Sequence, residues 1–393
     1  MAEAPYALVQ SAGEWRAVVD RLRRAPRLAV DVEADGFHRY PERVALVQIA
    51  DDSGAVWLVD VLAVDDIGAL GELLGDPTVT VVMHAAGYDV RSLHRDHAFG
   101  VRGLFDTAVA AQFCGARRTG LGHVVEDWLG VHLDKAKRLQ RTDWSARPLP
   151  AAALTYAAAD VRSLLDLADR LSQRLRELGR EQWVAEECER VEAERFRPPE
   201  PAEEAMFAVT GARDLSDEER AVLRELVLFR EAEARRTGRP PYRIMSGAAL
   251  LALAVNPKQP LERLAGVDSR VAGAGRVRLQ EALRRGRTGP PVPWPCSPRR
   301  FVWPRQGQER LRLLKGWRAE QAAVLDLDPG VVWPADHLKQ VALHPDLATA
   351  GLDRGRALPC VRAWQWQVLG PSLEQFRRES LGDRAVPSDG PPA

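Results

Sequence analysis

Two periodicities of apolar residues alternate along the first 180 residues and predict a layered α/β domain. Short, nearly continuous apolar runs predict strands at 6–9, 28–33, 44–49, 55–59 and 78–83. Between and after these runs, apolar residues recur three or four positions apart, which predicts helices after Ser11, at 67–74, around Asp89, from Asp106, at 121–130 and from Pro150 onward. We therefore expect one sheet covered by helices.

Two carboxylates lie in the predicted strand at 28–33. Asp31 and Glu33 are two positions apart, so their side chains point to the same face of the strand. Two carboxylates at the end of a buried strand repel each other and are poorly solvated, and a divalent ion with oxygen ligands would stabilise them. The polar rim of an ordinary strand end fits the same residues, so this stretch alone leaves both interpretations open.

Three further polar residues stand at positions where α/β domains place their sites. Asp89 follows the strand at 78–83 and falls in the first turn of a helix, where the helix dipole favours a carboxylate even without a function. Tyr156 and Asp160 are four positions apart on an alanine-lined helix, so they share a face that another element or a ligand can approach closely. Taken singly, each residue also fits an ordinary structural role.

A basic loop between residues 133 and 149 is the candidate nucleic-acid contact. Lys135, Arg141 and Arg147 can hold phosphates, and the interleaved Trp144 can stack on a base. A tryptophan packed inside the protein beneath a solvated loop fits the same pattern, so the sequence leaves the role of Trp144 open.

The second half of the chain contains an internal repeat. The segment that begins at Phe229 aligns without gaps to the segment that begins at Trp317, a period of 88 residues, and this predicts two copies of one small helical domain. An acidic stretch precedes the first copy and a Pro-rich basic stretch separates the two. We place the boundaries at 1–180 for the α/β domain, 181–211 for an acidic helical arm and linker, 212–288 and 305–382 for the helical domains, 289–304 for the Pro-rich linker and 383–393 for a disordered tail.

Composition narrows the class of protein. Apolar residues make up 46% and charged residues 28% of the chain, which is typical of a soluble globular protein, and we expect neither a signal peptide nor a membrane span. The four cysteines lie far apart, which suits a reducing cytoplasm. Net charge is zero, yet residues 270–318 hold thirteen Lys and Arg against two acids. This local excess can attract a polyanion, and it equally fits a solvated linker.

Three motifs together resemble the ribonuclease D family of the DEDD superfamily of 3′–5′ exonucleases. The first is DVEADGFHRYPERVALVQIA, with Asp31 and Glu33; the second is HAAGYDVRSL, with Asp89, followed by FDT. The third ends in YAAAD at 156–160 and is similar to the tyrosine-bearing branch. The repeated C-terminal segments resemble HRDC domains. The resemblance implies a ribonuclease H-like α/β exonuclease domain, with a mixed sheet flanked by helices, followed by two small all-α HRDC-like domains.

The resemblance also implies a chemistry. Asp31, Glu33, Asp89 and Asp160 are expected to hold two divalent metal ions, Mg²⁺ or Mn²⁺, and Tyr156 is expected to orient the attacking water. The implied reaction is stepwise hydrolysis of RNA from a 3′ single-stranded end to nucleoside 5′-monophosphates. The expected partners are tRNA precursors and other small structured RNAs, and the expected location is the cytoplasm.

Two rival functions remain at this level. A 3′–5′ DNA exonuclease of the proofreading or Werner type shares the same four acids, although the HRDC-like repeats and the segment TDWSARPL favour ribonuclease D. A catalytically decayed RNA-binding scaffold is the rival from another class. All five of Asp31, Glu33, Asp89, Tyr156 and Asp160 are intact, which argues against decay.

Overall fold

The structure is a computed structural model, and it describes residues 6–133, 137–261, 264–295, 303–348 and 361–381. Lys135, most of the second half of the predicted Pro-rich linker and the predicted tail lie outside the described residues. The described chain forms an N-terminal α/β domain, a first helical domain and a C-terminal helical region. Within these ranges, no helix combines the length and the apolar character that a membrane span requires.

The N-terminal domain is built on one six-stranded mixed sheet. Its strands are β1 (Tyr6–Val9), β2 (Arg27–Ala34), β3 (Val44–Asp51), β4 (Val56–Val59), β5 (Thr80–Met83) and β6 (Leu104–Asp106). Their order across the sheet is β1-β4-β3-β2-β5-β6, and β3 runs antiparallel to β2 and β4 while the other neighbours are parallel. The five predicted strands are confirmed, and β6 is a short sixth strand that the apolar pattern did not predict.

Nine helices within the described residues accompany this sheet, at the positions that the sequence pattern predicts or between them. They are α1 (Ala12–Leu22), α2 (Gly68–Gly75), α3 (Gly87–His97), α4 (Thr107–Phe113), α5 (Leu121–Leu129), α6 (Lys137–Gln140), α7 (Ala151–Arg162), α8 (Leu164–Leu178) and α9 (Glu181–Glu192). Hydrogen bonds from capping side chains explain where two of these helices begin. Ser11 and Glu14 form a reciprocal capping box at α1, and Asp106 accepts backbone N–H bonds at α4.

Helix α7 lies against the centre of the sheet, where it contacts β2, β3 and β4. Every residue of β3 is buried, and Ala157 and Ala158 of α7 are fully buried as well. Small side chains let the backbone of the helix come close to the strands. The polar residues of α7 are thereby brought to the end of β2 that carries Asp31 and Glu33.

The two helical segments that follow repeat the same elements. The first helical domain contains α10 (Ala202–Ala205), α11 (Asp217–Thr237), α12 (Pro241–Ile244), α13 (Gly247–Val255), α14 (Ser269–Ala272) and α15 (Arg276–Thr288), and the C-terminal region contains α16 (Arg305–Leu325), α17 (Pro329–Val332), α18 (Ala335–Leu343) and α19 (Ala363–Phe376). Helices α16, α17 and α18 begin and end 88 positions after α11, α12 and α13. The helix bounds therefore agree with the period read from the sequence.

The two helical segments differ in how they are supported. The first helical domain has a hydrophobic core of its own, whereas the buried residues of the C-terminal region form one continuous core with the N-terminal domain. Helix α9 makes this connection. Its Trp183 ring stacks on Trp364 with centroids 4.6 Å apart, and its Glu187 accepts two hydrogen bonds from Arg362 at 2.7 and 3.0 Å. The first part of the acidic stretch is thus a helix, α9, docked against the C-terminal region.

Part of the basic stretch at 270–318 is neutralised within the first helical domain. Arg278 of α15 donates to Glu233 of α11 at 2.5 and 3.1 Å, and Arg285 donates to Glu225 at 2.8 Å. These pairs join α15 to α11, so the two arginines serve the packing of the domain. Attraction of a polyanion by other cations of the stretch stays a prediction.

Candidate active site

Three of the predicted site residues meet at one end of β2. Asp31 and Glu33 project from β2 and Asp160 projects from α7, and each offers a carboxylate oxygen within 4.8 Å of the others. The register of β2 against β3 shifts between Glu33 and Ala34, a bulge that changes the direction of the strand just beyond the carboxylates. The structure thus brings together residues that are more than 120 positions apart in the sequence.

Asp89 lies beside this group without belonging to the close trio. Asp89 occupies the first turn of α3 and is 7% exposed. Its carboxyl group is near enough to Asp31 for the two charges to interact. Burial raises the pKa of Asp89 well above its ordinary value, and the negative charges of Asp31 and Asp106 raise it further. A carboxylate in this position needs a cation to stay ionised.

Asp106 fixes the turn that carries Asp89. Its buried carboxylate accepts hydrogen bonds from the backbone N–H groups of Ala85 and Ala86 at 2.9 and 2.8 Å, and it also caps α4. Ala85 has a φ of 56°, a left-handed conformation that a non-glycine residue rarely adopts and that these bonds help to hold. The sequence marked Asp106 only as a helix start, so its link to the turn before α3 was missed.

Tyr156 lies one helical turn before Asp160 on α7. The residue is 8% exposed, and its hydroxyl donates a hydrogen bond to the Asp160 carboxylate. Burial raises the pKa of Tyr156, and the charges of Asp160, Glu33 and Asp31 add to the effect. The side chain therefore remains a neutral phenol at ordinary pH, able to donate one hydrogen bond and to accept another.

The donor set of this centre suits divalent cations. Its ligand atoms are carboxylate oxygens, which Mg²⁺, Mn²⁺ and Ca²⁺ prefer, whereas zinc sites favour nitrogen and sulfur. Grouped carboxylates repel each other when no positive charge lies between them. Burial, together with this repulsion, is what raises the pKa of Asp89. The residues present therefore fit bound metal.

Two side chains of the basic loop are engaged within the protein. Trp144 is 1% exposed, so of the two roles that the sequence left open its ring takes the structural one, packing in the core, where it cannot stack on a base. Arg147 donates to both carboxylate oxygens of Asp60 at 2.6 Å and to the carbonyl oxygens of Trp144, Ala146 and Ala45. Its guanidinium is engaged within the protein, which favours a structural role, and the predicted phosphate contact of Arg147 stays a prediction.

The two other predicted nucleic-acid contacts, Arg141 and Lys135, stay predictions. Arg141 is exposed, and its guanidinium lies 6.0 Å from the centre of the Phe37 ring beside the acidic centre. Lys135 lies outside the described residues.

Comparison with known proteins gives the chain a family. Residues 6–176 match the family model of a 3′-5′ exonuclease, and residues 219–273 match that of the HRDC domain. Ribonuclease D of Gluconacetobacter diazotrophicus is 33% identical over 371 residues, which cover 92% of this chain and 90% of that protein. The matched exonuclease segment contains the whole acidic centre, and the DEDD exonuclease family implies divalent metal ions there.

Solved structures share the fold of this chain. The C496S mutant of the catalytic core of RRP6 from Trypanosoma brucei superposes with a TM-score of 0.66 at 26% identity, over 74% of this chain and 82% of that one. Escherichia coli RNase D superposes with a TM-score of 0.69 at 22% identity, over 96% of this chain and 100% of that one, which shows a shared fold. Because a relative matches across nine-tenths of both sequences and the exonuclease model spans the acidic centre, the chain belongs to the ribonuclease D family.

Proposed function

We propose that this chain is a metal-dependent 3′–5′ exoribonuclease that trims single-stranded 3′ ends of tRNA precursors and other small structured RNAs to nucleoside 5′-monophosphates. The observation that carries the proposal is the meeting of Asp31, Glu33 and Asp160 within 4.8 Å, inside a segment that matches an exonuclease model. Support for RNA as the substrate comes from relatives named ribonuclease D. The Escherichia coli protein with the same fold is described as an exoribonuclease involved in structured RNA processing.

We assign Asp31, Glu33, Asp89 and Asp160 to the binding of two divalent ions, Mg²⁺ or Mn²⁺. Asp31, Glu33 and Asp160 already present their oxygens toward one another, and Asp89 adds a fourth carboxyl from the start of α3. When bound, such ions lower the pKa of a water nucleophile and neutralise charge on the leaving oxygen. The protein contributes the fixed arrangement of oxygens, with the turn before α3 held by Asp106.

Tyr156 orients the attacking water through its hydroxyl. The phenol is held by its hydrogen bond to Asp160, and an ordinary tyrosine pKa of about 10 already keeps it protonated at neutral pH. The raised pKa of Tyr156 strengthens that conclusion. Its role is therefore positional, and Tyr156→Phe should lower kcat more than it raises KM.

Carboxamide variants test the assignment. Asp31→Asn and Asp160→Asn remove a charged oxygen at nearly constant shape, and each is expected to abolish trimming of a 3′-extended tRNA in Mg²⁺ or Mn²⁺. Asp166→Asn, an exposed carboxylate on α8, is the matched control and should trim like the wild type. Normal turnover by either site variant, or activity that persists in excess EDTA, would contradict the proposal. Preference for single-stranded DNA of matched length would move the protein to the DNA exonuclease class.

The domain boundaries at 180, 211, 288, 304 and 382 are also proposals. The 88-residue repeat supports an HRDC-like identity for the C-terminal region as well as for the first helical domain. The cytoplasmic location expected from the sequence stays a prediction.

A further inference from the structure

Gln48 is a buried polar residue in the middle of the apolar strand β3. The strand reads VALVQIAD, all of it is buried, and the other residues of 44–50 are apolar. Both polar atoms of the Gln48 amide are shielded from solvent, and neither has a hydrogen-bond partner among the described residues. This burial carries a penalty that an apolar side chain of similar size would avoid. Such a residue indicates a role other than packing.

Four side chains flank Gln48 on its face of the sheet, and the carboxylate of Asp31 is the polar one. Gln48 is paired with Asp31 of β2 on one side and with Leu58 of β4 on the other, and residues paired in this way project from the same face. Leu46 and Ala50, two positions away along β3, project from it as well. Residues paired across antiparallel strands have Cβ atoms about 4.5–5.5 Å apart, so the Gln48 amide can reach Asp31.

The acidic centre is built on this same face. Asp31 and Glu33 project from it, and α7 brings Asp160 within 4.8 Å of both. Helix α7 also contacts β3, the strand that carries Gln48. Because Gln48 is fully buried between the sheet and this helix, it cannot touch RNA. Any effect of Gln48 on the reaction must therefore act through a neighbouring group, and Asp31 is the polar neighbour within reach.

We propose that Gln48 is a positioning residue of the acidic centre, whose amide Nε2 donates a hydrogen bond to the Asp31 carboxylate when that carboxylate binds a divalent ion. The inference rests on the proposed function, because it assumes that Asp31 is a metal ligand. An ionised carboxylate only accepts hydrogen bonds, so the amide nitrogen is the donor. A donor of this kind holds a metal-binding carboxylate in the orientation that the ion requires. The amide that weakens the fold thereby strengthens ion binding.

Removal of the amide should change ion affinity without a change in the ligands. Gln48→Met keeps most of the side-chain volume and loses the hydrogen-bonding groups. Ile49→Met is the matched control, because it places the same residue on the opposite face of β3 at another fully buried position. Mn²⁺ alone is titrated into each protein without RNA, by calorimetry and by electron paramagnetic resonance of the free ion. Gln48→Met should need about 10- to 100-fold more free Mn²⁺ for half-saturation, and Ile49→Met should match the wild type.

Thermal unfolding distinguishes positioning from loss of structure. In EDTA, Gln48→Met should melt above the wild type, because the unpaired amide has been removed. Mn²⁺ should then raise the Tm of the variant less than that of the wild type, because the variant binds the ion more weakly. A variant that melts below the wild type in EDTA would show that weak binding comes from lost structure, and it would overturn the inference.

RNA trimming supplies a third readout. Gln48→Met should trim more slowly than the wild type at limiting Mn²⁺, and saturating Mn²⁺ should restore the rate with the KM for RNA unchanged. An unchanged Mn²⁺ affinity, or a loss of rate that saturating Mn²⁺ does not restore, overturns this inference alone. A wild type that binds no Mn²⁺ overturns the metal assignment of the proposed function itself.

Discussion

Arg147 offers the sharpest test of how the basic loop is used. Its guanidinium forms a bidentate pair with Asp60, whose side chain is 1% exposed, and it donates to three backbone carbonyl oxygens. Asp60 also accepts hydrogen bonds from the Gln10 side chain and the Leu62 backbone. Burial alone would raise the pKa of Asp60, yet the Arg147 guanidinium and these donors hold it below its ordinary value. Arg147→Met removes the cation and keeps most of the side-chain volume.

The expected loss in the free energy of unfolding follows from the buried Asp60 charge that Arg147→Met leaves without its cation. Removing one partner of a buried ion pair leaves an uncompensated charge and costs about 3–5 kcal/mol. The Arg147 side chain is 26% exposed, and Asp60 keeps other donors, so we expect the low end, about 3 kcal/mol. For a domain of this size that corresponds to a fall in Tm of roughly 6–12 °C. Because the folded pKa of Asp60 is lowered, the stability it contributes is present above its unfolded pKa and is lost as pH falls.

Calorimetry and RNA binding together decide the role of Arg147. Arg23→Met is the matched control, because Arg23 pairs with Glu72 where both side chains are more than half exposed, and it should cost less than about 1 kcal/mol. Below its melting temperature, Arg147→Met should bind RNA with the affinity and salt dependence of the wild type. A variant that melts like the wild type but binds RNA with a shallower salt dependence would refute the structural reasoning, because that is the signature of a lost phosphate contact.

Three further perturbations have defined outcomes. Gln48, opposite Asp31 in the β2–β3 register, is fully buried, and its amide has no hydrogen-bond partner among the described residues. Because an unpaired buried amide is costly, Gln48→Met should raise the free energy of unfolding by about 1–3 kcal/mol. A lower Tm than that of the wild type would contradict this prediction. Burial would raise the pKa of Glu233, but Arg278 and Arg236 lower it to about 2, so the first helical domain should lose stability as pH falls from about 4.5 toward 2. In melts followed by circular dichroism, Glu233→Gln should make the Tm depend less on pH in this range. A variant whose Tm falls with pH as steeply as that of the wild type would contradict the role of Glu233. Mg²⁺ should raise the Tm of the wild type but not of Asp31→Asn, and equal shifts would place the ion elsewhere.

The sequence predicts most of the N-terminal fold because its signals are local. Apolar runs, the Ser11 capping box and the carboxylate spacing of Asp31 and Glu33 each express the geometry of a strand or helix within a few residues. The meeting of Asp160 with the β2 carboxylates came from the family resemblance, since spacing along the chain does not say which elements pack together. The strand β6 escaped prediction because three residues carry no readable periodicity.

The sequence could not decide the roles of Trp144 and Arg147 in the basic loop, for a different physical reason. The sequence around a tryptophan among arginines does not show whether its ring faces solvent or the core. The role of Arg147 depends on its partner Asp60, which lies 87 residues away in the sequence. The cleft beside Glu33 that Phe37, Tyr88 and Tyr242 line was missed for the same reason. Phe37 and Tyr242 are 205 residues apart, and only the docking of the first helical domain brings them to one cleft.

The docking of α9 against α19 also bears on how the chain is made. The Glu186 carboxylate accepts the backbone N–H groups of Ala363 and Trp364, which are synthesised about 178 residues later. At about 5–20 residues per second, the N-terminal domain waits roughly 9–36 s with the Trp183 face uncovered. During translation this face is an apolar surface available to chaperones and to neighbouring nascent chains. A stop codon placed after residue 211 would make that exposure permanent. A protein cut at this proposed boundary should therefore aggregate, although Asp31, Glu33, Asp89, Tyr156 and Asp160 are all present.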